Sequence, residues 1–318
     1  MTPIAATLAL ALTMASPSES PVDLTTPTGV IHGTLSVPAG DAKVPVVLII
    51  AGSGPTDRDG NSPLIPGKNN CYKMLADALA ADGVASLRYD KRGIAASRPA
   101  GPIEADLRFD MYVDDAAGWI RQLRADARFS TIIVAGHSEG SLIGMLAASK
   151  AKADGFVSIA GVAQRASDVV RDQLRPQLSA MPALWDASDA VLQSLEKGQT
   201  LDTLPKSIQA VPALSQLFRP SVQPYLISWF RYQPSAILAE LTMPVLIIQG
   251  THDVQVSVDE AKALKIAKPD AQLLLVDGMN HVMKAAPADR LANISTYGRP
   301  DLPIVADVPK AIGALARK

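Results

Sequence analysis

The ten residues Thr131–Gly140 read TIIVAGHSEG and carry the strongest structural signal in the chain. Their first five residues form a β-branched apolar run, which is typical of a central strand buried on both faces. A G-x-S-x-G sequence follows at Gly136–Gly140, and residues 142–150 have the pattern of a helix. In such a strand–turn–helix, the glycines allow a sharp backbone reversal that lifts the serine oxygen above the sheet. The pattern predicts that Ser138 is a nucleophile; the alternative is a glycine-rich turn for packing or phosphate binding.

Apolar runs and helical patterns alternate on both sides of this stretch, which predicts the α/β fold class with a mostly parallel central sheet flanked by helices. The predicted strands are 30–37, 44–50, 84–89, 131–135, 156–160, 245–249 and 272–276. The predicted helices are 72–81, 111–123, 142–150, 258–267 and 308–316. Residues 21–161 and 241–318 are therefore assigned to the two parts of one core.

The pattern changes between residues 162 and 240, where prolines recur among short helical stretches and no strand is evident. Segments of this length inside a compact fold usually have a function. We predict a helical lid over the sheet rather than an independent domain. Four aromatic residues of this segment either line an acyl pocket or pack within the lid: Tyr225, Trp229, Phe230 and Tyr232.

The composition argues against several classes of partner. The 318 residues include 30 Lys plus Arg and 31 Asp plus Glu, a balance that provides no net field to attract nucleic acid or an anionic membrane. Cys71 is the only cysteine, which excludes an intrachain disulfide and argues against a cysteine-based metal site. No two of the four histidines are four residues apart, the spacing that zinc enzymes use on a helix. We therefore expect no nucleic-acid partner, no stable membrane insertion and no metal.

The N-terminus has the pattern of a signal peptide. Residues 4–14 are apolar or small throughout, and this run is too short for the roughly 20 residues that span a bilayer. A small-x-small sequence ends at Ala15, and the loop-like residues 16–20 follow. Residues 1–20 are therefore predicted to be a signal peptide and leader of a periplasmic or secreted protein. No Lys or Arg precedes the apolar run, so a cytoplasmic protein with a short N-terminal helix is the alternative.

A serine nucleophile in this setting needs an acid and then a histidine downstream, each in a loop at the carboxyl end of a strand. Asp253 follows the predicted strand 245–249, and His281 follows the predicted strand 272–276. The order of the three residues along the chain is also the required one. The rivals are less well placed; these are Asp259 and Asp277 for the acid and His32, His137 and His252 for the base. The sequence therefore predicts a catalytic triad of Ser138, Asp253 and His281.

The loop 51–54, of sequence AGSG, follows the buried strand 44–50 and is the candidate oxyanion loop. Acyl transfer requires two backbone N–H groups directed at the developing oxyanion. One is supplied by the residue after the nucleophile, here Glu139, and the other by the loop after this earlier strand. We predict Ser53 as the second donor, with Gly54 as the alternative.

At these residues the chain resembles the α/β-hydrolase superfamily. Within it, residues 51–60 (AGSGPTDRDG) and 87–93 (LRYDKRG) resemble a group of bacterial esterases and serine-aminopeptidase-like hydrolases. The resemblance implies an esterase that acts on short acyl esters of small molecules through an acyl-enzyme, without a metal or organic cofactor. The alternatives are a peptidase or amidase with the same triad, and a non-catalytic binding protein on the hydrolase scaffold.

Overall fold

A computed structural model of the chain describes residues 18–318. Its strands are β1 (Ser18–Thr26), β2 (Gly29–Val37), β3 (Val44–Ile50), β4 (Ala85–Tyr89), β5 (Phe129–His137), β6 (Gly155–Ile159), β7 (Val245–Gly250) and β8 (Gln272–Val276). They form one sheet in the order β1-β2-β4-β3-β5-β6-β7-β8. The β1–β2 and β2–β4 pairs are antiparallel, and all the other pairs are parallel. The prediction of a mostly parallel sheet is therefore confirmed.

Helices cover both faces of this sheet. The helices are α1 (Cys71–Ala81), α2 (Phe109–Ala125), α3 (Glu139–Ala151), α4 (Ala166–Gln177), α5 (Pro182–Glu196), α6 (Lys206–Gln209), α7 (Pro212–Phe218), α8 (Gln223–Phe230), α9 (Pro234–Glu240), α10 (Val258–Ala267), α11 (Arg290–Ser295) and α12 (Asp307–Ala316). Short 3-10 helices lie at Ala95–Ala100 and Glu104–Asp106. Strand β3 shows how the layers are built, because its side chains alternate between the two faces. Val46, Leu48 and Ile50 pack in the core that contains α2 and α3. Val47 and Ile49 pack in the core that contains α1 and α12.

The segment predicted to be a lid comprises helices α4 to α9, which lie between β6 and β7. Its buried side chains, among them Leu192, Phe218 and Leu226, belong to the same core cluster as α2 and α3. The hydroxyl of Ser228 in α8 also accepts a hydrogen bond from the backbone N–H of Phe109, with an oxygen–nitrogen distance of 2.8 Å. The segment is thus packed onto the sheet domain, and its action as a lid stays a prediction.

The N-terminal strand differs from the sequence-based prediction. Residues Ser18–Ser20, interpreted as loop-like leader, form the start of β1, which pairs with β2 along its whole length. The interpretation was wrong because β1 is a largely exposed edge strand, and only Val22 and Leu24 pack against the core. Such a strand has no continuous apolar run to reveal it. Residues 1–17, with the predicted cleavage site near Ala15, lie outside the residues that the structure describes. In residues 18–318, no helix combines the length and the apolar character that a membrane crossing requires.

Candidate active site

Ser138 lies at the sharp turn between β5 and α3, at the carboxyl edge of the sheet. Its φ of 54° and ψ of −121° are strained for a residue with a side chain. Glycine is required at both flanking positions, Gly136 and Gly140, because neighbouring backbone atoms lie too close to leave room for a side chain. A Cβ atom at Gly136 would lie 2.1 Å from the carbonyl oxygen of Gly140, and one at Gly140 would lie 2.4 Å from that of Ile50. The Ser138 N–H donates to the carbonyl of Ile159 on the neighbouring strand, at 2.9 Å, and this bond fixes the turn.

Asp253 and His281 form a buried hydrogen-bonded pair. The distance from His281 Nδ1 to Asp253 Oδ2 is 2.8 Å. The other carboxylate oxygen of Asp253 accepts the backbone N–H groups of Gln255 and Val256, at 2.8 and 3.0 Å. Although burial raises the pKa of Asp253, the His281 ring and these hydrogen bonds hold it below its usual value. The carboxylate is therefore ionised at neutral pH and orients His281, whose Nε2 atom remains available for proton transfer.

Ser138 and His281 line the same cavity, which has a volume of about 310 Å³. The structure therefore brings together the three residues predicted from the sequence. Among the rival acids, Asp259 pairs with Lys262, and Asp277 accepts a hydrogen bond from Thr251.

The other candidate side chains have different partners. Of the rival bases, His32 pairs with Asp23 in the β1–β2 hairpin, and the ring of His252 contacts the carbonyl of Ala286. Cys71 also lines the cavity that contains Ser138, but burial raises the pKa of its thiol to about 12. A thiol with such a pKa stays protonated and is a poor nucleophile.

A chain of buried hydrogen bonds connects the three loops of the site. The Gly52 N–H donates to the hydroxyl of Tyr72 at 3.0 Å, and this hydroxyl lies 2.7 Å from His137 Nδ1. The opposite nitrogen, His137 Nε2, lies 2.8 Å from the carbonyl oxygen of His281. Burial, together with the neighbouring His281 ring, lowers the pKa of His137 to about 3, so the ring is neutral. Because Nε2 faces a carbonyl, it carries the proton, and the Tyr72 hydroxyl therefore donates to Nδ1.

This hydrogen-bond chain narrows the choice of oxyanion donors. The N–H of Gly52 is already bound to Tyr72 and cannot serve as a donor to substrate. Ser53, the next residue, is exposed and lines both cavities that adjoin Ser138, whereas Gly54 lines only one of them. Glu139 is the first residue of α3, where N–H groups have no partner within the helix and the helix dipole favours negative charge. Ser53 and Glu139 thus remain the predicted pair of donors.

Replacing Tyr72 with phenylalanine is expected to reduce both stability and turnover. The change leaves the Gly52 N–H and His137 Nδ1 buried without a partner, which we expect to lower the free energy of unfolding by about 1–3 kcal/mol. The Gly52–Ser53 loop loses an anchor, so kcat is expected to fall by about 10-fold, less than the loss of an oxyanion donor itself would cause. Urea denaturation and steady-state kinetics measure the two effects.

Tyr89→Phe is the matched control for this change. The hydroxyl of Tyr89 is also buried, but it has no hydrogen-bond partner among residues 18–318. Its removal is therefore expected to leave the free energy of unfolding unchanged or to raise it. Equal losses in Tyr72→Phe and Tyr89→Phe would contradict the role assigned to Tyr72.

A second buried network connects the nucleophile turn to helix α8. Lys91 Nζ lies 2.9 Å from Glu139 Oε2 and donates a further hydrogen bond to the Gly52 carbonyl at 2.6 Å. The other carboxylate oxygen of Glu139 accepts the hydroxyl of Tyr225. Burial and the Glu139 charge raise the pKa of Tyr225 well above its usual value, so this hydroxyl keeps its proton. The Glu139 side chain, together with Lys91, therefore joins the candidate oxyanion loop to the α4–α9 segment.

Sequence reasoning did not identify Tyr72, His137 or Lys91 as parts of the site. Two of the neighbouring loops, at residues 57–59 and 88–92, are joined by the ion pairs of Arg58 with Asp90 and of Arg88 with Asp59. A local sequence signal was present, because His137 is the last residue of β5 and Lys91 lies two residues after the end of β4. Their partners lie far away along the chain, so no local pattern identified them.

Replacing Lys91 with methionine is expected to destabilise the protein strongly. The change leaves the Glu139 carboxylate buried without its cation, and breaking a buried pair in this way costs about 3–5 kcal/mol. The double variant Lys91→Met/Glu139→Gln removes both charges and keeps an acceptor for Tyr225, so it is expected to recover most of the loss. Urea denaturation measures both, and the exposed pair Lys262–Asp259 provides the control Lys262→Met, for which little change is expected. A double variant no more stable than Lys91→Met would contradict this account.

The two cavities beside Ser138 have different linings. The larger one contains His281, and the smaller one, of about 140 Å³, contains Glu139 and side chains of α4 and α8. Trp229 lines the smaller cavity, whereas Phe230 is buried and Tyr232 binds Asp110. Among residues 18–318, no group of three or more His, Cys, Asp or Glu side chains is arranged to hold a metal ion.

The family model described as "Serine aminopeptidase, S33" matches residues 67–285, which is more than half of the chain. Esterase EstD of Thermotoga maritima is 29% identical over 257 residues, which correspond to 80% of this chain. The chain spans 58% of the length of that relative.

Two solved structures illustrate the shared architecture. Est1E from Butyrivibrio proteoclasticus superimposes with a TM-score of 0.58 at 17% identity, covering 94% of this chain and 99% of that one. An esterase from Pyrococcus furiosus superimposes with a TM-score of 0.58 at 15% identity, covering 95% and 91% of the two chains. These likenesses concern the fold, and the predicted resemblance is confirmed. The chain belongs to the serine aminopeptidase S33 family and has the α/β-hydrolase fold.

Proposed function

We propose that the chain is a serine carboxylesterase that cleaves short acyl esters through an acyl-enzyme formed on Ser138. The observation that carries this proposal is the buried Asp253–His281 pair, because His281 lines the cavity that also contains Ser138. A serine nucleophile, a histidine that acts as general base and a carboxylate that orients the histidine are the parts that this kind of acyl transfer requires. The esterase name of the relative from Thermotoga maritima supports the same reaction.

In the proposed mechanism, Ser138 Oγ attacks the ester carbonyl while His281 Nε2 takes its proton. The backbone N–H groups of Ser53 and Glu139 stabilise the negative oxygen of the tetrahedral intermediate. His281 then gives its proton to the leaving alcohol, and Asp253 stabilises the imidazolium without becoming protonated. Water, activated by His281, attacks the acyl-enzyme, releases the acid and restores Ser138.

The cavity linings favour an ester over an aminoacyl amide, although the family name refers to aminopeptidases. An aminopeptidase must hold the ammonium group of its substrate, for which a carboxylate beside the nucleophile is the usual partner. Among residues 18–318, those that line the larger cavity include no Asp or Glu, and Glu139 is the only acidic residue that lines the smaller one. Its carboxylate is already bound to Lys91 and Tyr225. The described lining therefore offers no free carboxylate to a substrate ammonium.

Hydrolysis of matched substrates tests this function. Ethyl butyrate and butyramide have the same acyl group, so their rates compare an ester with an amide. Leucine nitroanilide and its N-acetyl derivative differ in the free ammonium group, so their rates show whether the protein requires that group. We expect turnover of the ester only, and labelling of Ser138 by a fluorophosphonate probe, located by peptide mass spectrometry. Preferential cleavage of leucine nitroanilide over its acetylated form would indicate an aminopeptidase instead. Labelling at another serine would contradict the assignment of the nucleophile.

A further inference from the structure

The two cavities at Ser138 distinguish the two halves of an ester, an inference that rests on the proposed function. Ser53, Ser138 and Gln255 line both cavities, so the cavities meet at the nucleophile. Only the larger cavity contains His281, and only the smaller one contains Glu139. The cavities therefore lie on different sides of the reacting carbon.

Proton transfer determines which half of the substrate each cavity holds. When the tetrahedral intermediate collapses, the bond from carbon to the alcohol oxygen breaks, and that oxygen takes the proton held on His281 Nε2. The alcohol must therefore lie in the cavity that contains His281. We propose that the larger cavity binds the alcohol group and that the smaller cavity binds the acyl chain.

The acyl cavity is small, and six of its eleven lining residues are apolar. One face of α4 contributes Ala166, Val169, Val170 and Gln173, which follow the spacing of a single helix face. Trp229 of α8 adds a further apolar wall. A cavity of about 150 Å³ is filled by one six-carbon benzene molecule, so a volume of about 140 Å³ accommodates an acyl chain of roughly six carbons or fewer.

The alcohol cavity is larger and opens outward. Its volume of about 310 Å³ reaches the range of roughly 300–1,000 Å³ that is typical of sites for organic ligands. Its walls include the rings of Tyr72 and Tyr297 and the side chain of Ile65. Ile65, Gln255 and Tyr297 also line an outer groove of about 870 Å³, so the alcohol side continues beyond the cavity. The substrate class is therefore short-chain acyl esters of bulky, ring-containing alcohols.

Two substrate series separate the two halves of the ester. The first series varies the acyl group from acetate to butyrate, hexanoate and octanoate on 2-phenylethanol. The second varies the alcohol on butyrate from ethanol to 2-phenylethanol and 2-naphthylethanol, alkanols of similar acidity. In the wild type, kcat/KM is expected to fall about 10-fold or more between hexanoate and octanoate, because the longer chain no longer fits. Across the alcohol series, kcat/KM is expected to stay level or rise with ring size.

Two matched variants assign the cavities directly. Val169 lines only the acyl cavity and Ile65 only the alcohol side, and both are half-buried aliphatic residues. Val169→Phe is expected to lower the hexanoate-to-acetate ratio of kcat/KM by about 10-fold or more and to leave the alcohol series in its wild-type order. Ile65→Phe is expected to lower the naphthylethyl-to-ethyl ratio and to leave the acyl ratio within about 2-fold. Val169→Ala, which enlarges the same wall, is expected to raise the octanoate-to-acetate ratio.

The outcomes separate this inference from the function on which it rests. If Val169→Phe changed the alcohol series and Ile65→Phe changed the acyl series, the assignment of the two cavities would be overturned. The esterase function would stay in place. Wild-type ratios of kcat/KM in all three variants would also overturn the assignment of the cavities and leave the esterase function in place. Absence of ester hydrolysis in the wild type would overturn both.

Discussion

Replacing Ser138 with alanine is expected to lower kcat for ester hydrolysis by about a million-fold, the size of effect found when the nucleophile of a serine protease is removed. The change deletes one oxygen atom, and alanine has the same β-carbon that serine places in the strained turn at φ 54°. Fold and stability are therefore expected to be retained. Residual hydrolysis above the uncatalysed rate is expected from the oxyanion donors and from substrate binding. Steady-state kinetics with nitrophenyl butyrate measures the loss.

Ser141→Ala is the control for this experiment. Ser141 lies one turn further along α3, and its hydroxyl is buried against the hydroxyl of Ser158 at 2.8 Å. Its removal deletes a buried hydroxyl from the same helix without touching the reacting atoms, so turnover is expected to stay within a few-fold. A kcat of Ser138→Ala within 10-fold of the wild type would exclude Ser138 as the nucleophile.

Replacing Asp253 with asparagine is expected to lower kcat by about 10,000-fold, since this is the scale of the loss when the triad acid becomes an amide. The backbone N–H groups of Gln255 and Val256 keep the amide oxygen on their side, so the amide nitrogen faces His281 Nδ1. His281 Nδ1 must then accept a hydrogen bond, and the ring proton moves to Nε2. A ring protonated at Nε2 cannot take the proton of Ser138.

Asp277→Asn separates this effect from a general change of charge near the site. Asp277 follows β8 as Asp253 follows β7, but it is exposed and accepts one hydrogen bond, from Thr251 at 3.1 Å. We expect kcat of Asp277→Asn to stay within about 2-fold of the wild type, as is usual for surface substitutions. Similar losses for the two variants would contradict the role of Asp253 in the triad.

The parts of the site that are encoded locally were predictable from the sequence. Ser138 belongs to a strand–turn–helix whose apolar run and glycines are contiguous in the sequence. The bounds of β3, α10 and β8 were predicted to the residue, because each element also has a local sequence pattern. Asp253 and His281 were identified by their position after strands, because parallel strands bring their carboxyl ends to one edge of the sheet. Local pattern and topology together predicted three side chains that the structure brings close to one another, and their catalytic roles stay a prediction.

The supporting contacts were not predictable, because they join residues that are far apart in the chain. Tyr72 meets His137 across 65 positions, Lys91 meets Glu139 across 48, and Tyr225 meets Glu139 across 86. Each is one polar side chain among many, and only the folded chain reveals which pairs are brought together. The edge strand β1 was missed for a related reason. It is held by pairing with β2, which lies further along the chain, and it is largely exposed, so its sequence lacks the apolar run that identifies a buried strand.

If the proposed function holds, the bond between Tyr225 and Glu139 restricts how the substrate range of this protein can evolve. Tyr225 and Trp229 lie one turn apart on α8, and Trp229 forms a wall of the acyl cavity. Any shift of α8 that resizes this cavity also pulls Tyr225 away from the residue whose N–H is proposed to hold the oxyanion. Selection for longer or shorter acyl chains by movement of α8 would therefore impair the chemistry at the same time. Adaptive substitutions are expected instead on α4, at Val169 and Val170, where wall size changes independently of the reaction centre.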